Sequence, residues 1–169
     1  IRQYTDKFSQ ETSLNWSCYA TPAEGLSGKF IKKDQKMFGI IKGVTDKEYY
    51  TNSYHIPVKF PISIKKKIDI EAPYHKLCNA GHISYIEVDD SPTGEQIMDI
   101  INYAYKNTNI SYIGINFHIR YCKNCGSSIN SNEKKCPKCN SIDIQGISRV
   151  TGYLSLYERF VPGKFEERA

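Results

Sequence analysis

The stretch CKNCGSSINSNEKKCPKC, residues 122–139, decides how the C-terminal part of the chain folds. It contains two C-x-x-C pairs, formed by Cys122, Cys125, Cys136 and Cys139. Each pair brings two thiolates to one ion from a tight turn, and two such turns fill a tetrahedral site. The spacing therefore predicts a zinc site, and Gly126 suits a backbone that folds back beneath the ion. Because four thiolates leave no open coordination position, the zinc is expected to be structural.

A small disulfide clasp is the alternative for these four cysteines, and the start of the chain argues against it. The first ten residues, IRQYTDKFSQ, carry charge but no apolar run like that of a secretory signal. No run approaches the ~20 apolar residues of a membrane helix. We therefore expect a cytoplasmic protein with no membrane partner, whose cysteines are thiols or ligands. Since no Met begins the sequence, we also expect a chain that starts inside a longer protein or is processed.

Composition allows a packed fold but does not choose a function. Of the 169 residues, 40% are hydrophobic and 12% aromatic, which argues against disorder. The net charge of +5 is compatible with an anionic substrate or with nucleic acid. The turns around the cysteine pairs carry lysines without interleaved aromatic residues, namely Lys123, Lys134, Lys135 and Lys138. We therefore expect no direct binding to nucleic acid.

The segment after Tyr19 has the pattern of a helix start. Thr21 can cap a helix, and Glu24 completes a T-x-x-E capping box. Leu26 and Phe30 then lie on one helical face, and Gly39 and Gly43 are placed to end the unit. A plain cap is one interpretation of Thr21, and an anion site at the helix N-terminus is another.

The rest of the first 120 residues alternates helix and strand patterns. Short strands are predicted at 54–56 and 82–88, an amphipathic helix from Ile64, and a helical stripe from Ile97 to Ala104. Apolar residues then alternate from 113 to 119, which predicts one further strand. This order favours an α/β layer or a barrel segment over a sandwich.

The character of the sequence changes at Tyr121, where we expect a domain boundary. The cysteine pairs follow, and a last strand is predicted through Ile142 and Ile144, before an irregular tail at 146–169. Within that tail, RVTGYLS, residues 149–155, places a glycine between bulky neighbours, where a regular strand or helix would lose stability.

Several segments, in order along the chain, resemble class III anaerobic ribonucleoside-triphosphate reductases, which are glycyl radical enzymes. They are TPAEGLSGKF, GVTDKEYYTNSYHIPV, EAPYHKLCNAGHISYIE, Y-x-GINF, the double C-x-x-C, RVTGYLS and PGKFEER. The resemblance implies an α/β fold built as a ten-stranded barrel with a C-terminal zinc-binding glycyl radical domain. Residues 1–120 would be the C-terminal portion of the barrel, and residues 121–169 the small zinc-binding domain.

The resemblance gives Gly152 a catalytic role as the residue that stores the radical. Loss of a Cα hydrogen leaves an electron shared between the neighbouring nitrogen and carbonyl, and a side chain would crowd that planar centre. The radical would be made by an activating enzyme that uses S-adenosylmethionine and an iron–sulfur cluster. It would generate a thiyl radical that takes the 3′-hydrogen of a ribonucleoside triphosphate, with formate as the reductant.

The resemblance also implies missing parts. The thiyl-radical cysteine of the family lies upstream of every matched segment, so we expect this chain alone to be inactive and to need the N-terminal part of the reductase. The family is usually dimeric. Cys18 and Cys78 do not align with the thiyl loop. Each is expected to be a small buried hydrophobe, with Cys78 also a candidate site residue.

Two groups of substrate contacts are expected. The substrate triphosphate would rest at the helix start, near Ser17, Thr21 and Ala23. The ribose or formate would lie near four polar side chains, Asn52, His55, Asn79 and His82. Satisfied structural polar groups are the alternative for this second set.

Two other classes of protein remain as alternatives. A stand-alone glycyl-radical accessory piece, which repairs an oxygen-damaged partner, would need little more than the glycine domain, whereas this chain carries long barrel-like segments. A zinc-ribbon nucleic-acid-binding module would explain the cysteines and the basicity, but would leave RVTGYLS and the α/β portion without a purpose.

Overall fold

The computed structural model describes residues 1–20, 26–51, 53–88, 92–130, 133–150 and 153–168. Its elements are α1 (Arg2–Thr12), α2 (Ile31–Phe38), α3 (Ile64–Leu77), β1 (Ser84–Glu87), α4 (Gly94–Asn107), β2 (Ile113–Asn116), β3 (Ile119–Cys122), β4 (Ser128–Ile129), β5 (Ile144–Val150), β6 (Tyr153–Leu156), a 3₁₀ turn (Tyr157–Arg159) and α5 (Pro162–Arg168). β1 and β2 form a parallel pair, and an antiparallel sheet has the order β4-β3-β5-β6. Within these ranges, no helix has the length and apolar character needed to cross a membrane.

A β-α-β unit forms the centre of the chain, as the sequence predicts for this region. α4 connects the two parallel strands and begins with a full capping box, in which Thr93 and Gln96 each accept the other's backbone N–H. Ile68 of α3, Ile86 of β1 and Ala104 of α4 form the buried core between the helices and the pair. The predictions of α3, β1 and α4 are therefore confirmed.

The helix predicted after Tyr19 is wrong in the part that the structure describes, while residues 21–25 lie outside it. Leu26 to Phe30 form turns, and α2 begins only at Ile31. Ser27 and Gly28 are weak helix formers, and Gly28 packs against the C-terminal helix, which a regular helix would disrupt. Gly39 ends α2 with a φ of 77°, as predicted.

The strand predicted at 54–56 is also wrong. Tyr54 lies in a turn, and His55 and Ile56 have no regular secondary structure and pair with no strand among the described residues. The N–H of Ile56 donates instead to the carboxylate of Glu71 on α3, at 2.9 Å. A side chain from a distant helix thus takes the place of a neighbouring strand.

The single strand predicted from the alternation at 113–119 is two strands in different sheets. β2 pairs with β1, whereas β3 pairs with β4 and β5. The apolar alternation continues through the connection at 117–118, so it does not indicate where the chain changes sheet. The predicted domain boundary at residue 121 stays a prediction.

The tail predicted to be irregular is mostly regular. β5 and β6 form an antiparallel hairpin in which Val150 pairs with Tyr153, and α5 follows. Ile142, placed in the predicted last strand, is exposed and precedes β5, which begins at Ile144. Cross-strand pairing with β3 supplies the order that the sequence alone did not indicate.

Candidate functional site: a four-cysteine cluster and a histidine cluster

The two C-x-x-C turns fold alike. The N–H of Gly126 donates to the carbonyl of Cys122, and the N–H of Asn140 donates to the carbonyl of Cys136, each at 2.8 Å. Gly126 has a φ of 71° and Asn140 a φ of 58°, so both adopt the left-handed conformation after the second cysteine of their pair. Asn tolerates this conformation better than most residues. Asn140 is therefore the counterpart of Gly126, which the sequence analysis missed.

These turns bring four thiols together. The sulfur atoms all lie within 4.8 Å of one another, and those of Cys122 and Cys139, and of Cys125 and Cys136, are 3.5 Å apart. All are free thiols, so the disulfide clasp is absent. Four convergent soft ligands fit one tetrahedral zinc ion with no open position. These residues could hold the predicted metal.

Local hydrogen bonds favour the thiolate form at two of the four cysteines. Bonds with the Ser127 side chain and backbone lower the pKa of Cys125 to about 6. The backbone of Ser141 lowers the pKa of Cys139. At Cys136, backbone hydrogen bonds lower the pKa, but burial and bonds with the neighbouring thiols outweigh them and raise it to about 11. Thiolates are the form in which cysteine binds a metal. The small core around them contains mainly the cysteines, Ile129 and Ile144, so little apolar packing would hold these turns without an ion.

The cysteine cluster and the hairpin share strand β5. Cys122, at the end of β3, pairs with Ile144 at the start of β5, and β5 runs on to Val150. Thr151 and Gly152, between β5 and β6, lie outside the described residues, so the role of Gly152 stays a prediction. A covalent and hydrogen-bonded path therefore runs from the cluster to the strand ends that flank Gly152.

A second cluster contains three histidines. The rings of His55 and His82 stack with centroids 5.2 Å apart, and the rings of His75 and His82 meet edge to face with centroids 4.6 Å apart. Glu71 is 0% exposed beneath them. Its carboxylate lies 3.9 Å from Nδ1 of His55 and 3.8 Å from the ammonium group of Lys67. The cluster therefore places one buried acid beside three rings.

Burial and charge give this cluster its electrostatics. His82 is 4% exposed, and burial, with the charges of His55 and His75, lowers its pKa to about 4. Neither ring nitrogen of His82 has a hydrogen-bond partner among the described residues. Burial alone would raise the pKa of Glu71, but His55, Lys67 and the N–H of Ile56 outweigh it and lower that pKa. At neutral pH, His82 is thus neutral and Glu71 is ionised.

The structure brings together only some of the residues predicted to contact substrate. His55 and His82 stack, whereas the amide oxygen of Asn79 accepts a hydrogen bond from the N–H of Cys18, at 2.8 Å. Ser17 is exposed. Thr21, Ala23 and Asn52 lie outside the described residues. Substrate contact by all of these residues stays a prediction.

Sequence reasoning missed Glu71 and His75. Both lie on α3 at helical spacing from the buried Ile68, so an acid and a histidine occupy positions on the core-facing stripe. A charged residue at a core position is a signal that could have found them. Cys78 is buried at the end of the same helix, and burial, then the neighbouring Cys18, raises the pKa of its thiol.

Known proteins resemble this chain in sequence and in fold. The sequence profile of the anaerobic ribonucleoside-triphosphate reductases matches residues 1–169. The chain belongs to this family. It is 38% identical over 177 residues to the Escherichia coli anaerobic ribonucleoside-triphosphate reductase, and 35% identical over 161 residues to that of Enterobacteria phage T4. The match spans the β-α-β unit as well as the cysteine cluster, so the nucleic-acid module and the accessory piece are not favoured.

The chain covers about a quarter of its relatives and corresponds to their C-terminal part. The match includes 99% of this chain and 25% of the E. coli protein. Its fold is similar to the anaerobic ribonucleotide reductase of Thermotoga maritima with glycerol in the active site, at a TM-score of 0.75, 21% identity, and coverage of 98% of this chain and 25% of that one. The same enzyme in complex with dATP and CTP gives a TM-score of 0.73, at 21% identity over 93% of this chain and 25% of that one.

Proposed function

We propose that this chain is the radical-storing, C-terminal part of an enzyme that reduces ribonucleoside triphosphates to deoxyribonucleoside triphosphates. One observation carries the proposal: the hairpin that flanks Gly152 extends from the four-thiol cluster, in a chain of this family. Residues 1–120 supply the later part of the ten-stranded barrel, and residues 121–169 form the zinc-binding glycyl radical domain.

The four thiols would hold zinc as a structural ion. Their sulfurs fill a tetrahedral shell, so the ion would supply rigidity and no open position for substrate. β5 begins beside this cluster and ends at Val150, the residue before Thr151. An ordered cluster therefore fixes the start of the first strand of the hairpin. The cluster thereby braces Gly152 while that residue is presented first to the activating enzyme and then to the barrel.

Gly152 stores the radical between turnovers. The activating enzyme, with S-adenosylmethionine and its iron–sulfur cluster, removes a hydrogen atom from the Cα of Gly152. The glycyl radical then takes a hydrogen atom from a cysteine thiol in the upstream part of the reductase. That thiyl radical takes the 3′-hydrogen of the ribose, the 2′-hydroxyl leaves as water, and formate supplies the reducing electrons. Burial protects these radicals from water and oxygen.

The histidine cluster and the segment before residue 26 form the part of the active site that this chain contributes. The triphosphate binds near Ser17, Thr21 and Ala23. His55, His82, Asn52 and Asn79 lie near the ribose or formate. Neutral His82 offers one donor and one acceptor, both without partners among the described residues. The dATP and CTP in the T. maritima complex support nucleotide binding.

This function would operate in the cytoplasm of an anaerobic organism, or of an organism that passes through an anaerobic phase. Its partners are the activating enzyme, the upstream part of the reductase and, as in the family, a second copy of the reductase.

Electron paramagnetic resonance tests the proposal. The assembled reductase is incubated without oxygen with the activating enzyme, S-adenosylmethionine and a reductant. We expect a doublet, split by one Cα hydrogen, that disappears in Gly152→Ala, and cleavage of the chain at Gly152 after exposure to air. Gly94→Ala is the matched control and should retain the doublet, because a Cβ at Gly94 meets no atom within 4 Å. No doublet with a competent activating enzyme would overturn the radical role.

A further inference from the structure

One side chain connects the hairpin to the histidine cluster. Arg149 precedes the last residue of β5, and its guanidinium carbon lies 5.2 Å from the centroid of the Tyr85 ring. Tyr85 belongs to β1, which lies in a different sheet. The two residues therefore form a contact between the strand that leads to Gly152 and the β-α-β unit.

Neighbouring residues hold the Tyr85 ring in one position. It is 6% exposed, and it pairs across the strands with Gly114, where an added Cβ would lie 3.1 Å from the tyrosine ring. The absence of a side chain at Gly114 thus leaves room for the ring. The edge of Tyr85 also meets His55, with centroids 5.3 Å apart at 61°. The ring therefore has neighbours that fix its position whether or not the hairpin is docked.

Among the described residues, Arg149 contacts this ring and forms no ion pair with an acid. Its Nε is buried and has no acceptor among the described residues. A guanidinium over an aromatic face is attracted by the ring quadrupole, and the attraction grows as water is excluded. Because such a contact contributes only a modest free energy, it can form and release. These are the properties that a docking contact for a moving hairpin needs.

We propose that Arg149 is a positioning residue that seats β5, the strand leading to Gly152, on Tyr85 of the β-α-β unit. This inference rests on the proposed storage of the radical at Gly152. Arg149 acts through the placement of the hairpin and takes no part in the hydrogen-atom transfers. Tyr85 also contacts His55, so this seat connects β5 to the cluster proposed to face the substrate.

The first experiment measures the effect of the Arg149–Tyr85 contact on the hairpin in protein that carries no radical. Hydrogen exchange of the β6 amides is compared in the assembled reductase for the wild type, Arg149→Met and Tyr85→Leu. We expect exchange to rise about tenfold in each variant, which is the size expected for a desolvated cation–π contact. The double variant should exchange no faster than either single one. Equal exchange in Arg149→Met and wild type, or effects that add in the double variant, would overturn the contact.

The second experiment measures how the loss of this contact affects the radical and turnover. After anaerobic activation, radical spins per chain, turnover per spin and the rate of cleavage by oxygen are measured. We expect Arg149→Met to reach the wild-type spin count, to lose about tenfold in turnover per spin, and to be cleaved faster. Ethylguanidinium added to Arg149→Ala should restore part of the turnover. Turnover per spin within twofold of wild type would overturn the positioning role.

A matched control separates this role from a general loss of stability. Exposed Lys65 on α3 lies over the Tyr103 ring of α4 at the same distance, 5.2 Å. Lys65→Met should leave β6 exchange and turnover per spin unchanged. The outcomes also separate the two proposals. Altered β6 exchange without a doublet in any protein would refute radical storage, whereas a wild-type doublet with unaltered exchange would refute the seat.

Discussion

The backbones of Gly28 and Gly163 are in direct contact. A Cβ atom added to Gly163 would lie only 2.5 Å from the amide nitrogen of Gly28. This contact docks α5 on the turn before α2. It also buries an ion pair between Lys164 and Glu167, whose Nζ and Oε2 atoms are 2.5 Å apart. The C-terminal segment PGKFEER is thus fixed against the distant segment LSGKF by the absence of two side chains.

Gly163→Ala should therefore destabilise the docking of α5. The new methyl group meets backbone atoms that cannot rotate away, so we expect the free energy of unfolding in urea to fall by about 1–3 kcal/mol. Gly94→Ala adds the same methyl group where no atom lies within 4 Å, and should be neutral or slightly stabilising. An unchanged midpoint for Gly163→Ala would show that α5 does not dock in this way.

Local signals accounted for much of the middle of the chain. The stripe on α3 and the entry to α4 follow from helical spacing and capping, which depend on residues a few positions apart. The cysteine cluster follows from spacing alone, since C-x-x-C limits where two thiolates can point. Position in a sheet is different. Whether Ile119 continues the strand of Ile113 or joins another sheet depends on pairing with β5, which lies far along the chain.

For the same reason, only part of the candidate site could be predicted from the sequence. His55 and His82 stood out as polar residues in matched segments, and the structure stacks them. Arg149 became visible only through its long-range contact with Tyr85. Glu71 occupies a core position of the helical pattern, but its contact with Ile56 became visible only in the fold. Those contacts depend on how α3 and β5 pack on β1, which no local pattern encodes.

The cysteine cluster should hold one zinc ion per chain in protein purified without chelators. Cys122→Ser and Cys136→Ser should each lose the ion, because three thiolates and a hydroxyl form a poorer site. Hydrogen exchange should then rise across β3 to β5, where the cysteines form much of the core. Cys18→Ser is the control, since Cys18 lies outside the cluster. Metal content is measured by atomic emission, and full zinc in Cys122→Ser would contradict the assignment.

Glu71 should stabilise the fold through the groups that it pairs. Glu71→Leu leaves the N–H of Ile56 without its acceptor and Lys67 without its acid, so we expect a loss of about 3–5 kcal/mol in the free energy of unfolding. Glu71→Gln keeps an acceptor for Ile56 and should lose less. Asp99→Asn neutralises an exposed acid on α4 and should change stability by under ~0.5 kcal/mol. Equal losses for Leu and Gln at position 71 would refute the role of the backbone acceptor.

His82 should make the chain less stable as the pH falls. Its pKa is about 4 in the fold, compared with about 6.5 in an unfolded chain, so the unfolded state binds more protons between these values. Stability from His82 is therefore complete above about pH 6.5 and is lost as the pH falls towards 4, by at most ~1.4 kcal/mol per pH unit. The difference in unfolding free energy between wild type and His82→Gln, measured from pH 7.5 to 4.5, isolates this contribution, because the zinc ligands are the same in both proteins. An NMR titration that finds the His82 ring protonating near pH 6.5 would contradict the prediction.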